Sequence, residues 1–107
     1  MSKIAKTPNP PYYAVIFTTV KSDDQEGYSE MNARMFELAQ QQKGYLGIES
    51  AKGEIGISVT YWETPEDIAR WKNHAEHQIA QRKGYETWYK AFATRICRVE
   101  RDNFHEK

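Results

Sequence analysis

Two histidines stand three residues apart in the run Asn73-His74-Ala75-Glu76-His77, between Trp71 and Gln81. Histidine is the side chain whose ordinary pKa lies nearest neutrality, so either one is a candidate general acid or base. Residues three apart on a helix share a face, and such a pair could reach one metal ion. The run lacks the His-Glu-x-x-His spacing of zinc proteases, and no cysteine or further ligand accompanies it, so no metal centre is expected. Trp62 and Trp71 precede the histidines and Trp88 follows them. Large aromatic rings fill cores and also line ligand pockets, and both readings stand for these three. On an ideal helical wheel His77 falls opposite Ile68 and Ala75 and so faces solvent, with His74 on the flank. A kink near Asn73 would instead turn His77 and Gln81 toward the sheet's open face.

Other groups are less directive. Arg95, Arg98 and Arg101 could hold an anion, yet exposed charge is the usual state of arginine, and they read first as solvated or paired. Cys97 has no CxxC partner and reads as a small buried apolar residue. Gly84-Tyr85-Glu86-Thr87-Trp88-Tyr89 reads as an aromatic helical turn that plugs one end of the fold. There is no glycine-rich phosphate loop, nucleotide fingerprint or nucleophile elbow.

The elements that must position these residues follow from periodicity. Three prolines among Lys3 to Pro11 forbid a regular helix and predict an extended arm over residues 1–11. Tyr12 to Val20 is aromatic and β-branched, and its unbroken apolar centre, Val15-Ile16-Phe17, predicts a strand covered on both faces. Ser22-Asp23-Asp24 offers caps for an amphipathic helix carrying Tyr28, Met31, Met35, Leu38 and Ala39, which Gly44 stops. Tyr45 to Ser50 and Ile55 to Trp62 read as a hairpin around Lys52-Gly53. Thr64-Pro65-Glu66-Asp67 is a helix start with a cap, a proline in the first turn and acids at the positive end of the dipole. That helix carries Ile68, Trp71, Ala75 and Ile79 on one stripe and runs to Gly84 as its C-cap. Ala91 to Glu100 alternates as a fourth strand, and the charged residues 102–107 are expected to be mobile.

The order β-α-β-β-α-β is that of the ferredoxin-like α+β fold, with two helices on one face of a four-stranded antiparallel sheet and the first and third strands central. Cover on the other face of the first strand then calls for a second copy, a homodimer. One domain over residues 12–101 suits a chain of 107 residues. Fifteen basic and fifteen acidic residues leave no net charge, which argues against nucleic acid or an anionic membrane as partner. A single cysteine and the lack of a long apolar run point to a soluble, cytoplasmic protein. Mean hydropathy is low, at −0.85, while aromatics make up 13% of residues. A thin core is thus built from a few large rings.

Tyr61-Trp62-Glu63, followed by Ile68, Trp71, His74 and His77, then Gly84, Trp88-Tyr89 and the strand Arg95 to Arg101, resembles the antibiotic biosynthesis monooxygenase superfamily. The likeness runs from about Tyr12 to Arg101. It implies a dimeric α+β barrel whose two sheets pack together, leaving a cavity in each subunit between sheet and helices. The fold hosts unrelated activities, so the site must be tested residue by residue. Haem-degrading members carry an asparagine on the first strand, a tryptophan on the second helix and a histidine ten positions later. Trp71 matches the tryptophan, but the position ten later is Gln81, and Tyr12 to Val20 has no asparagine. Quinone-forming members need no cofactor and oxidise phenols with dioxygen through the substrate's own electron-rich anion. The resemblance therefore implies a cofactor-independent monooxygenase acting on a small aromatic or quinol substrate. His77 or His74 would be its base, and Trp62, Trp71, Asn73, Gln81 and Trp88 would contact the substrate. The alternative is a non-catalytic dimeric module holding a small apolar ligand or haem.

Overall fold

Tyr12–Lys21 forms the first strand, β1, and everything else is arranged about it. The structure is a computed structural model that describes residues 3–107, with the side chain of Ala75 outside the described residues. After β1 come α1 (Tyr28–Gln40), β2 (Tyr45–Ala51), β3 (Gly56–Trp62), α2 (Pro65–Lys72), α3 (Ala75–Lys83), a turn of π-helix over Gly84–Trp88, and β4 (Tyr89–Val99). The sheet order is β2-β3-β1-β4, all antiparallel, so the first and third strands are central as expected.

Register separates the two faces. Tyr13, Val15 and Phe17 lie opposite Trp62, Thr60 and Ser58, and this face carries the core of Leu38, Ala39, Trp62, Ile68 and Trp71, with Tyr13, Val15, Met35 and Tyr45 packed against it. The opposite face presents Ala14, Ile16 and Thr18 beside Tyr61, Val59 and Ile57. Ala14 is buried there, whereas Val20 and Ile57 are exposed. Within one chain, β1 is therefore covered on both faces only toward its start.

Several local expectations are corrected. The N-cap of α1 is Gly27, in the left-handed region at φ 79° and without a side-chain cap. Ser22 instead bonds the carbonyls of Asp24 and Thr87, tying the loop to the π-turn. The second helix is not continuous. α2 starts as expected, with the Thr64 side chain accepting from Asp67 N–H and Pro65 in the first turn, but it ends at Lys72. Asn73 and His74 leave helical geometry, and α3 begins anew. Ile79, expected on the buried stripe, is 49% exposed. Gly84 is the C-cap of α3, as expected, but in right-handed geometry, and its φ of −60° and ψ of −48° carry the helix on into the π-turn. A side chain there would collide with the Tyr89 ring, 2.8 Å away. Cys97, expected to be buried, is exposed, because it faces away from the helices, opposite Ala14. The tail is also tied down, Tyr12 Oη donating to Asp102 Oδ2 at 2.5 Å.

Candidate active site

The break between α2 and α3 brings the histidines and tryptophans together. Asparagine and histidine hold a helix poorly, since their side chains compete for backbone groups. His74 does so here: in extended geometry, its Nδ1 accepts the Glu76 N–H at 3.2 Å and so caps α3. The new helix axis places His77 against Trp71, with ring centroids 4.2 Å apart and planes within 17°. The wheel reading that turned His77 to solvent fails because it carries a single axis through the break. Trp71 stacks in turn on Trp62 at 6.5 Å, and Trp62 meets Tyr45 edge-on.

The two imidazoles are chemically distinct. His77 Nδ1 lies 2.9 Å from the Trp71 carbonyl oxygen. A carbonyl only accepts, so Nδ1 carries the proton and Nε2 keeps its lone pair. His74 has the reverse assignment, because Nδ1 must accept from Glu76 and the proton of the neutral ring then sits on Nε2. Of the pair, His77 alone offers a free basic nitrogen. Burial holds its pKa below the ordinary value, the Trp71 carbonyl opposes that, and His74 adds to the lowering. The ring is neutral at neutral pH.

The remaining sequence candidates are dispersed. Trp62 is 0% exposed and bonds Thr60 Oγ1 through its indole N–H, so it backs Trp71 rather than facing a ligand. Asn73 is an exposed helix end. Gln81 is exposed, its amide donating to the Lys72 carbonyl, so the kink that turns His77 inward does not carry Gln81 with it. Trp88 is buried at the start of α1, where its indole N–H donates to the Glu26 carbonyl and its ring meets Tyr28. The Trp62 group packs on Leu38 and Ala39 near the other end of that helix. Two helical turns and more separate the groups.

Sequence reasoning missed an exposed apolar strip on β4. Phe92, Thr94 and Ile96 pair with Thr19, Phe17 and Val15 and so share the helix-side face. The Phe92 ring meets Phe17, Tyr89 and Tyr85. Phe92 is nevertheless 44% exposed and Ile96 59%, because α3 is held chiefly by α1, α2 and the π-turn instead of seating on β4. An Arg34–Glu76 ion pair links α3 to α1. The alternation of residues 92, 94 and 96 was visible in the sequence; that no helix covers them was not.

Residues 11–83 match the family described as antibiotic biosynthesis monooxygenase. The chain belongs to that family. It is 44% identical over its whole length to the uncharacterized protein YqjZ of Bacillus subtilis, covering 96% of that relative. Among solved structures, the fold is shared with SnoaB, a cofactor-independent oxygenase from Streptomyces nogalater, at a TM-score of 0.73 and 8% identity, covering 89% of this chain and 98% of the other. It is shared also with a putative antibiotic biosynthesis monooxygenase from Nitrosomonas europaea, at a TM-score of 0.67 and 14% identity, covering 86% and 92%. Identities this low establish the family architecture and leave the chemistry to the site. Among the described residues, no helix of this family member is long and apolar enough to cross a membrane.

Proposed function

We propose that this protein is a cofactor-independent monooxygenase that oxidises a small aromatic or quinol substrate with dioxygen. The observation that carries the reading is the neutral His77, stacked on Trp71 with Nδ1 tied to a carbonyl and Nε2 free. Nε2 takes the hydroxyl proton of the substrate, and the electron-rich anion reacts with dioxygen. One oxygen atom enters a ring carbon that becomes a carbonyl. The other leaves as water with two hydrogens of the substrate, which itself supplies both electrons.

The lowered basicity of His77 limits the substrate. A plain phenol has a pKa near 10, so transfer to an imidazole below 6.5 costs about 5 kcal/mol or more. A hydroxyl acidified by a conjugated carbonyl or a second fused ring brings that cost down. Such a flat ring would lie on the exposed Ile96, whose strand partner Val15 packs against the Trp62–Trp71 core, with Trp71 behind His77 and Trp62 as packing. His74 acts as cap and neighbour, and Asn73, Gln81 and Trp88 take no direct part.

We propose further that two copies associate through the sheet face bearing Ile16, Val59 and the exposed Ile57, so that each covers the other's apolar strands. Size-exclusion chromatography with light scattering checks this, and a monomer at micromolar concentration refutes it.

The test of activity is dioxygen uptake with a naphthoquinol under labelled dioxygen. One labelled atom should appear in the product, uptake should vanish in His77→Ala, and dimerisation should be unchanged. Uptake persisting in the His77→Ala/His74→Ala double variant sinks the proposed base. The exposed Phe92 and Ile96 strip also favours a second reading, a non-catalytic module for a small apolar ligand. Ligand affinity without any uptake would select it, and a sharp Soret band on adding haem would identify the ligand as haem.

A further inference from the structure

On the far face of the sheet, the two chain ends build a separate site. Ala5 N–H donates to Glu49 Oε2 at 3.0 Å, drawing the arm across β2. Gly47 permits this approach, since a Cβ there would stand 2.8 Å from that of Ala5. The tail is fixed by the Tyr12–Asp102 bond. Between arm, tail and sheet lies a cavity of about 210 Å³, lined by the rings of Tyr12, Tyr61 and Phe104, the carboxylates of Glu49 and Asp102, and Thr7.

We infer that this cavity binds an organic cation, an ammonium group on a body of about one ring. Neither carboxylate has a lysine or arginine within ion-pairing distance among the described residues. The phenols orient them: Tyr61 Oη donates to Glu49 Oε1 at 2.7 Å, and Tyr12 to Asp102 Oδ2. Burial, then these bonds, raise both phenol pKa values, so both remain donors. Asp102, at the exposed mouth, keeps Oδ1 for a ligand.

Other ligand classes fit worse. An anion meets two carboxylates, and a neutral apolar molecule would cover them without pairing them. A metal ion lacks ligands, because no group of three His, Cys, Asp or Glu side chains converges among the described residues. An ammonium ion satisfies Asp102 by donating to its Oδ1, while the surrounding rings favour a cation. The volume falls below the roughly 300 Å³ at which drug-sized pockets begin, which restricts the body to about one ring.

The probe is phenethylamine, with phenylacetate as the charge-reversed control, titrated into the full chain by calorimetry and amide NMR. Phenethylamine should bind saturably, shifting the amides of Ala5, Thr7 and Glu49, and phenylacetate should not. Losing a charge-assisted contact should weaken binding by about tenfold or more in Asp102→Asn and in Glu49→Gln. Asp102→Asn preserves an acceptor for Tyr12 in an exposed tail, so it tests the site even if Glu49→Gln releases the arm. Equal binding of phenylacetate, unchanged affinity in Asp102→Asn, or no saturation up to about 10 mM phenethylamine overturns the inference.

Discussion

Acid should weaken this fold through one imidazole, His77. In the unfolded chain that ring titrates near 6.5; in the fold, burial against Trp71 holds it lower. Once the pH drops through the unfolded value, the unfolded chain takes up a proton that the native state does not. The stability tied to His77 is therefore complete above about pH 6.5, declines as the pH falls toward the folded pKa, and levels off below it. One proton sets the slope at no more than about 1.4 kcal/mol per pH unit. The assay is urea unfolding across roughly pH 5 to 8, the range in which histidine titrates, for the native protein and His77→Gln. Glutamine can still donate to the Trp71 carbonyl but does not titrate. Its loss of stacking lowers absolute stability at every pH, so the comparison is of slopes, in which carboxylate contributions common to both proteins cancel. The native slope should exceed that of the variant in this window. Equal slopes, or an NMR titration of His77 at or above 6.5, would refute both the buried stack and the neutral base built on it.

Three further substitutions probe the elements that hold the site, and a fourth, Gly53→Ala, serves as their control. Trp62→Ala empties the most buried position in the core and should cost roughly 3–5 kcal/mol in urea unfolding, far more than a surface change. Gly44→Ala should cost about 2–4 kcal/mol in thermal unfolding, combining a left-handed φ of 85° with a Cβ only 2.0 Å from Asp67 Oδ2. Asp67 is held by Thr64 and Arg70 and cannot retreat, whereas Gly53→Ala, whose Cβ would meet only the Ile55 carbonyl oxygen at an ordinary 3.7 Å, should change stability by less than about 0.5 kcal/mol. Thr64→Ala removes the acceptor for Asp67 N–H and should cost about 1 kcal/mol, visible as a lower urea midpoint.

Those positions also separate what was legible in the sequence from what was not. Thr64-Pro65 announced a helix start because capping is local chemistry, settled within four residues. Strand order followed from the succession of elements, since a chain with two crossovers has few ways to bury one apolar face. The aromatic pair Trp62 and Trp71 could be placed together because one closes a strand and the other faces it from the next helix. Cys97 was misjudged because its burial depends on what covers the far face, which β4's own pattern does not state.

The amino-acid sequence alone thus determined the order of the strands and of the helical segments between them, Trp62 and Trp71 as the large rings of the core, and the two histidines as the groups able to move protons. Tertiary structure decided which of them keeps a basic nitrogen, because a hinge at Asn73–His74 rotates one short helix relative to another and assigns each imidazole a different backbone partner. It alone separated Trp88 from the Trp62 group, since α1 spans the gap between them. It alone joined the two ends of the chain, as Tyr12 and Asp102 are 90 residues apart and no local periodicity encodes a contact of that range.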